Sequence, residues 1–83
     1  MTYKIRYKSS VSHDLKKISK PMVSRIIDKL ETTLTQNPYA GKLLTGEFKG
    51  LHRLRVGDYR IIYSIFDDSV LILRIAHRKK VYR

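Results

Sequence analysis

The dipeptide Gly57-Asp58 interrupts two alternating runs, Leu51 to Val56 and Tyr59 to Phe66, and no other feature constrains the fold as much. A two-residue loop containing glycine between alternating runs signals a β-hairpin, because the tight turn needs a positive φ that glycine supplies without strain. Closing the loop at two residues sets Val56 opposite Tyr59, Arg55 opposite Arg60 and Leu54 opposite Ile61. Side chains alternate along a strand. Leu54, Val56, Tyr59, Ile61, Tyr63 and Ile65 then share one face, the core side. Arg53, Arg55 and Arg60 share the other.

The remaining elements are read outward from that hairpin. Asp67-Asp68-Ser69 ends the second strand, and Val70 to His77 reads as the third. Either length of the second turn places Leu71, Leu73, Ile75 and His77 on the Arg60 face, with His77 at the strand end nearest Arg60. Upstream, Tyr3, Ile5 and Tyr7 alternate with Lys4 and Arg6 as in a half-buried strand. Val11, Leu15 and Ile18 are spaced for one helical face. Pro21 suits the first turn of a second helix. Val23, Ile26, Ile27, Leu30 and Leu34 follow the i, i+3, i+4, i+7 rule, and Asn37-Pro38 ends that helix. Tyr39 to Gly50 reads as a connection. The expected order is β-α-α-β-β-β in one domain over residues 1–83. Its class is α+β: a twisted antiparallel sheet with the N-terminal helical pair packed on one face.

Charge narrows the class of partner. Eighteen Lys and Arg stand against seven Asp and Glu, a net charge of +11. Such a field attracts polyanions. The helices carry mixed charges rather than the one-sided basic face of a membrane-surface helix, so nucleic acid is the expected partner and no membrane is. The longest apolar run, Val70 to Leu73, is far short of a span, and the alternating N-terminus has no signal-peptide core. Without cysteine there is no disulfide or thiolate metal site, which fits a reducing, cytoplasmic location. His13, His52 and His77 lack metal-ligand spacing, the acids are scattered, and no phosphate-binding glycine loop is present; neither metal nor cofactor is expected. His52, on the core face near Tyr63, reads as structural.

The arginines are the candidate chemistry. Like charges directly opposite in a sheet are destabilising by up to about 1 kcal/mol, so the Arg55–Arg60 pair calls for a use. Snorkelling of the arginine stems over an exposed face is the alternative. Arginine's planar fork suits phosphate. His77, Arg78, Lys79 and Lys80 follow in sequence, then Tyr82, which could stack on a base or donate a proton. The role of His77, structural or catalytic, is open on this reading.

Leu51-His52-Arg53-Leu54-Arg55-Val56-Gly57-Asp58-Tyr59-Arg60-Ile61-Ile62-Tyr63, with Ile75-Ala76-His77-Arg78-Lys79-Lys80-Val81-Tyr82, resembles the RelE/ParE superfamily of bacterial and archaeal toxins over the whole chain. The resemblance implies a toxin of a toxin–antitoxin system. In the RelE type this is an endoribonuclease that cuts mRNA in the ribosomal A site and inhibits translation. Its partners are the ribosome, mRNA and a cognate antitoxin with an acidic segment. Operator DNA is met only through the antitoxin complex. By this resemblance Arg60 matches the phosphate-binding arginine after the turn. Arg53 and Arg55 occupy two basic positions that are lysines in the RelE type. Arg78 matches the basic residue after the last strand, and Tyr82 the tail tyrosine near the scissile site. His77 falls where some relatives carry histidine, and Lys49, Lys79, Lys80 and Arg83 are expected to contact RNA.

The implied reaction is attack of an mRNA 2′-hydroxyl on its adjacent phosphate. Arg60 would hold the oxygens with help from Arg53 or Arg55, and Arg78 would stabilise the leaving oxygen. Arginine is a poor base, since its pKa exceeds about 12. Two routes stay open: His77 takes the proton, or the enzyme relies on positioning and charge. The superfamily leaves two other functions open as well, a ParE-like poison of DNA gyrase and a non-catalytic nucleic-acid binder.

Overall fold

The computed structural model describes residues 2–80. Strand β1 (Lys4–Tyr7) leads into α1 (Val11–Lys16) and α2 (Lys20–Gln36). A two-residue strand β2 (Lys42–Leu43) and then β3 (His52–Val56), β4 (Tyr59–Phe66) and β5 (Ser69–His77) follow. Pro21 lies in the first turn of α2. The helix stops at Asn37, whose side chain accepts from the Tyr39 N–H at 3.1 Å as the chain turns through Pro38. The apolar stripe of α2 is real: Ile26, Leu30 and Leu34 are fully buried. They pack with Val11 and Ile18 from the α1 segment against Leu54, Val56, Ile61, Tyr63, Val70, Ile72 and Ile75. Each such side chain contributes roughly 1.5–3 kcal/mol on burial.

The sheet order is β1-β5-β4-β3-β2. The α+β class and the helical pair over one face are as expected. In two respects the sheet departs from the expected antiparallel four-strander. β1 runs parallel to β5, because the helical pair carries the chain to the far edge and it returns through β3 and β4 to finish beside its own start. The connection after α2 also yields β2, which pairs with β3. Two edge residues bury too little to leave a periodicity; Leu43 is exposed.

The first hairpin has the expected register, Val56 opposite Tyr59, Arg55 opposite Arg60 and Leu54 opposite Ile61, with Gly57 at φ 59°. The second hairpin corrects the expectation for β5. Pairing steps from Tyr63–Ile72 to Ile62–Arg74, leaving Leu73 as the extra residue of a bulge. Past the bulge the alternation is inverted. Leu71 does lie on the Arg60 face, but Ile75 pairs with Ile61 and His77 with Tyr59, on the helix side. The physical reason is Arg74. Continuous alternation with Ile75 beside Arg60 would drive the Arg74 charge into the core, whereas the bulge buries Ile75 and turns Arg74 outward.

Candidate nucleic-acid interface

Two rows of directly opposed residues cross the open face of the sheet. One is Arg53–Ile62–Arg74, extended to the edge by Lys42 opposite Arg53; the other is Arg55–Arg60–Ala76. Ile62 is buried beneath the arginines although it lies outside the core between sheet and helices. It gives the guanidinium stems an apolar floor. Arg53, Arg60 and Arg74 are half-buried and Arg55 is exposed.

Arg60 is the centre of this array. Its Nη1 donates to the Gly57 carbonyl at 3.2 Å and to its neighbour Tyr59's carbonyl at 3.3 Å, which folds the guanidinium back along the turn. Burial, then the fields of Arg55, Arg53 and Arg78, hold it below the usual arginine value, with Asp58 opposing. Arg78 is anchored to the same turn. Its N–H donates to the Asp58 carbonyl at 2.8 Å, and its guanidinium stands 4.0 Å from the Asp58 carboxylate. The hairpin loop thus gathers Arg53, Arg55, Arg60 and Arg78 into one positive field.

His77 does not join them. It sits across from Tyr59 on the helix side, the rings edge-to-face at 5.6 Å. Its Nδ1 accepts from the Lys79 N–H at 3.3 Å. Lys79 and Lys80 are exposed just beyond β5, and Lys49 is exposed in the β2–β3 connection. Tyr82 and Arg83 lie outside the described residues. His52 is structural as expected: it stacks on Tyr63 at 5.4 Å and meets Tyr39 edge-on at 6.0 Å. Its Nδ1 is buried without a hydrogen-bond partner, and burial lowers its pKa. Tyr63 in turn donates to the Pro38 carbonyl at 2.7 Å and accepts from the Gly41 N–H at 3.1 Å, pinning the segment before β2 against β4.

Sequence reasoning missed Arg74 and Lys42. Arg74 had a usable signal, since a lone arginine amid Val70 to Ile75 demands a solvent-facing position. Lys42 had none, because its strand is too short to show a pattern. The array can clamp a phosphate with several fork-shaped donors. Among its described members it holds no neutral base.

The ParE toxin family of the type II toxin–antitoxin system parDE has a model that matches residues 5–82. The chain is also similar to toxin RelG of Mycobacterium tuberculosis, 33% identical over 86 residues covering 100% of this chain and 99% of the relative. Toxin RelE of the same organism is 32% identical over 84 residues, 98% of this chain and 87% of that one. Among solved structures, the toxin–antitoxin complex RelBE2 of Mycobacterium tuberculosis superposes with a TM-score of 0.87 at 31% identity. That match covers 94% of this chain and 93% of the other.

Proposed function

Because the chain belongs to the ParE toxin family, within the RelE/ParE superfamily of type II toxin–antitoxin systems, we propose that it acts in the RelE manner, as an endoribonuclease that cleaves mRNA on the ribosome. The family model carries the ParE name while the full-length relatives carry Rel names. The relatives weigh more here, since they match nearly the whole of this chain at over 30% identity. The observation that carries the reading is the convergence of Arg53, Arg55 and Arg78 on Arg60, beside Arg74, on an open sheet face.

On this reading residues 1–83 form one toxin domain that works in the cytoplasm. The 2′-oxygen of a nucleotide attacks the adjacent phosphorus, the bond to the 5′-oxygen of the next nucleotide breaks, and a cyclic phosphate remains. Arg60 and Arg53 or Arg55 hold the non-bridging oxygens as negative charge grows there, and Arg78 faces the leaving oxygen. His77 lies behind the sheet, so the 2′-proton passes to water rather than to the imidazole, and a water molecule returns a proton to the leaving 5′-oxygen, which departs as a hydroxyl. Tyr82 stacks on a base, while Lys49, Lys79, Lys80 and Arg83 extend the contact to RNA. The cognate antitoxin presents an acidic segment to the arginine face, and operator DNA is bound only by the complex of the two. That RelBE2 is a toxin–antitoxin complex supports such a partner.

The test is to map RNA ends after induction without antitoxin, and to follow cleavage of ribosome-bound mRNA by purified protein. Cuts within codons of translated mRNA are expected, with free RNA resistant. The ParE name of the family model favours a second reading, a poison of DNA gyrase without RNA cleavage. Intact mRNA together with a gyrase-dependent DNA-damage response would establish it and overturn the first.

A further inference from the structure

Among the described residues no strand pairs with the outer edge of β5 past Ile72, where pairing with β1 ends. There α1 approaches it, and the Asp14 carboxylate accepts from the Ile75 N–H at 2.9 Å in place of a neighbouring strand. Between α1 and the ends of β4 and β5 lies a cavity of about 180 Å³. Lys17, Lys80, Arg74, His77 and Tyr59 line it together with Asp14. We propose that this cavity is a second anion subsite, taking a phosphate of the same RNA strand whose scissile phosphate lies on the arginine face. The proposal rests on the RNA reading above and adds a site to it.

Three features make the cavity fit a phosphate. The first is charge. Lys17, Lys80 and Arg74 are among the lining residues with a single carboxylate, that of Asp14, which is already engaged by a backbone N–H. The second is the imidazole. With Nδ1 accepting from Lys79, the neutral ring of His77 carries its proton on Nε2, a donor. The edge-to-face contact with Tyr59 sets the plane of the ring. The third is continuity. Arg74 stands in the Arg53–Ile62–Arg74 row on the open face and also lines the cavity behind it. It therefore joins two basic surfaces around the free edge of β5. Among the described residues no strand pairs with this edge past Ile72, so an RNA strand leaving the arginine face can cross it beside α1. The bulge at Leu73 is what builds the subsite, since it sends His77 backward and Arg74 outward.

The experiment compares wild type, Lys17→Ala/Lys80→Ala and Arg60→Ala for binding of a single-stranded, uncleavable 2′-O-methyl RNA hexamer across a salt series. Both lysines are exposed, so the double variant should keep the fold. Lys17→Gln/Lys80→Gln, which retains polar side chains, carries the same test should the alanine pair melt early. The expected result is roughly tenfold weaker binding and a salt slope reduced by about 0.7, the contribution of one neutralised phosphate. Titration with inorganic phosphate at constant pH should shift the His77 ring signals in wild type and not in the double variant. Unchanged affinity and slope in the double variant, with weakened binding in Arg60→Ala, would overturn the subsite and leave the arginine face standing. Unchanged binding in Arg60→Ala would remove the RNA reading and this inference with it. Loss of binding to an acidic peptide alone, with the hexamer bound as before, would make the cavity a protein contact and overturn the proposal.

Discussion

On the proposed reading, Arg60 and His52 carry opposite predictions for activity and stability. Arg60 is crowded by like charges and contributes nothing to the core, so Arg60→Ala relieves repulsion. Its melting temperature should be unchanged or slightly raised. Cleavage of ribosome-bound mRNA should fall by about a hundredfold or more, the usual cost of one oxyanion donor. Full activity in a well-folded Arg60→Ala protein would take the centre out of the site. His52 is the reverse case. Burial favours its neutral form, so its folded pKa lies below the ordinary 6.5. As pH falls below about 6.5 the unfolded chain binds a proton that the folded chain resists, and stability drops. The melting temperature should therefore decline on acidification through that range, and His52→Phe should flatten the decline. An identical pH profile in the variant would assign the acid sensitivity to another group.

Strand β5 decides the layout of the site at the level of elements. Deleting Leu73 joins Ile72 directly to Arg74, which closes the register without turning any side chain over. The deletion variant should fold, at a cost within the common range of about 0.5–3 kcal/mol. Cross-strand NMR contacts between the His77 and Tyr59 rings should survive. In an unbulged strand His77 would start on the Arg60 face, and the same deletion would reverse every side chain after Ile72 and carry His77 to the Tyr59 side. The comparison with wild type separates the two arrangements: ring contacts present in both proteins mark the bulge, and ring contacts that appear only on deletion would mark an unbulged strand. The same element links the layers, since Ile75 fills the core while its N–H binds Asp14 of α1.

Net charge governs encounter for the molecule as a whole. With +11 on 83 residues, and seven cations on the open face of the sheet (Lys4, Arg6, Lys42, Arg53, Arg55, Arg60 and Arg74), association with an acidic segment is steered over long range. Rates measured by stopped flow with an acidic antitoxin segment should fall steeply from low to physiological salt, while dissociation changes little. Salt-independent association would point to apolar docking instead. No helix among the described residues is long and apolar enough to cross a membrane. Val70, Ile72 and Ile75 of β5 meet Ile26, Leu30 and Leu34 of α2 in one core, so loss of either layer exposes the other.

What the sequence determined by itself is whatever short-range geometry controls. Gly57-Asp58 set the turn, and with it the pairing of Arg55 with Arg60 and the core face of β4, because a two-residue loop leaves the register no freedom. The stripe from Val23 to Leu34 and the stop at Asn37-Pro38 set α2 in the same way. The RelE/ParE resemblance was legible too, because it lies in contiguous motifs around that turn and after β5. Only the tertiary structure decided the phase of β5. Val70 to Leu73 is apolar throughout and carries no alternation, so the phase was settled by competition between burying Ile75 and burying the Arg74 charge, which depends on what packs against each face. The parallel seat of β1 and the existence of β2 were likewise decided at long range, by where the helical pair returns the chain. His77 illustrates the difference: adjacent in sequence to Arg78, it is carried to the opposite side of the sheet by one extra residue.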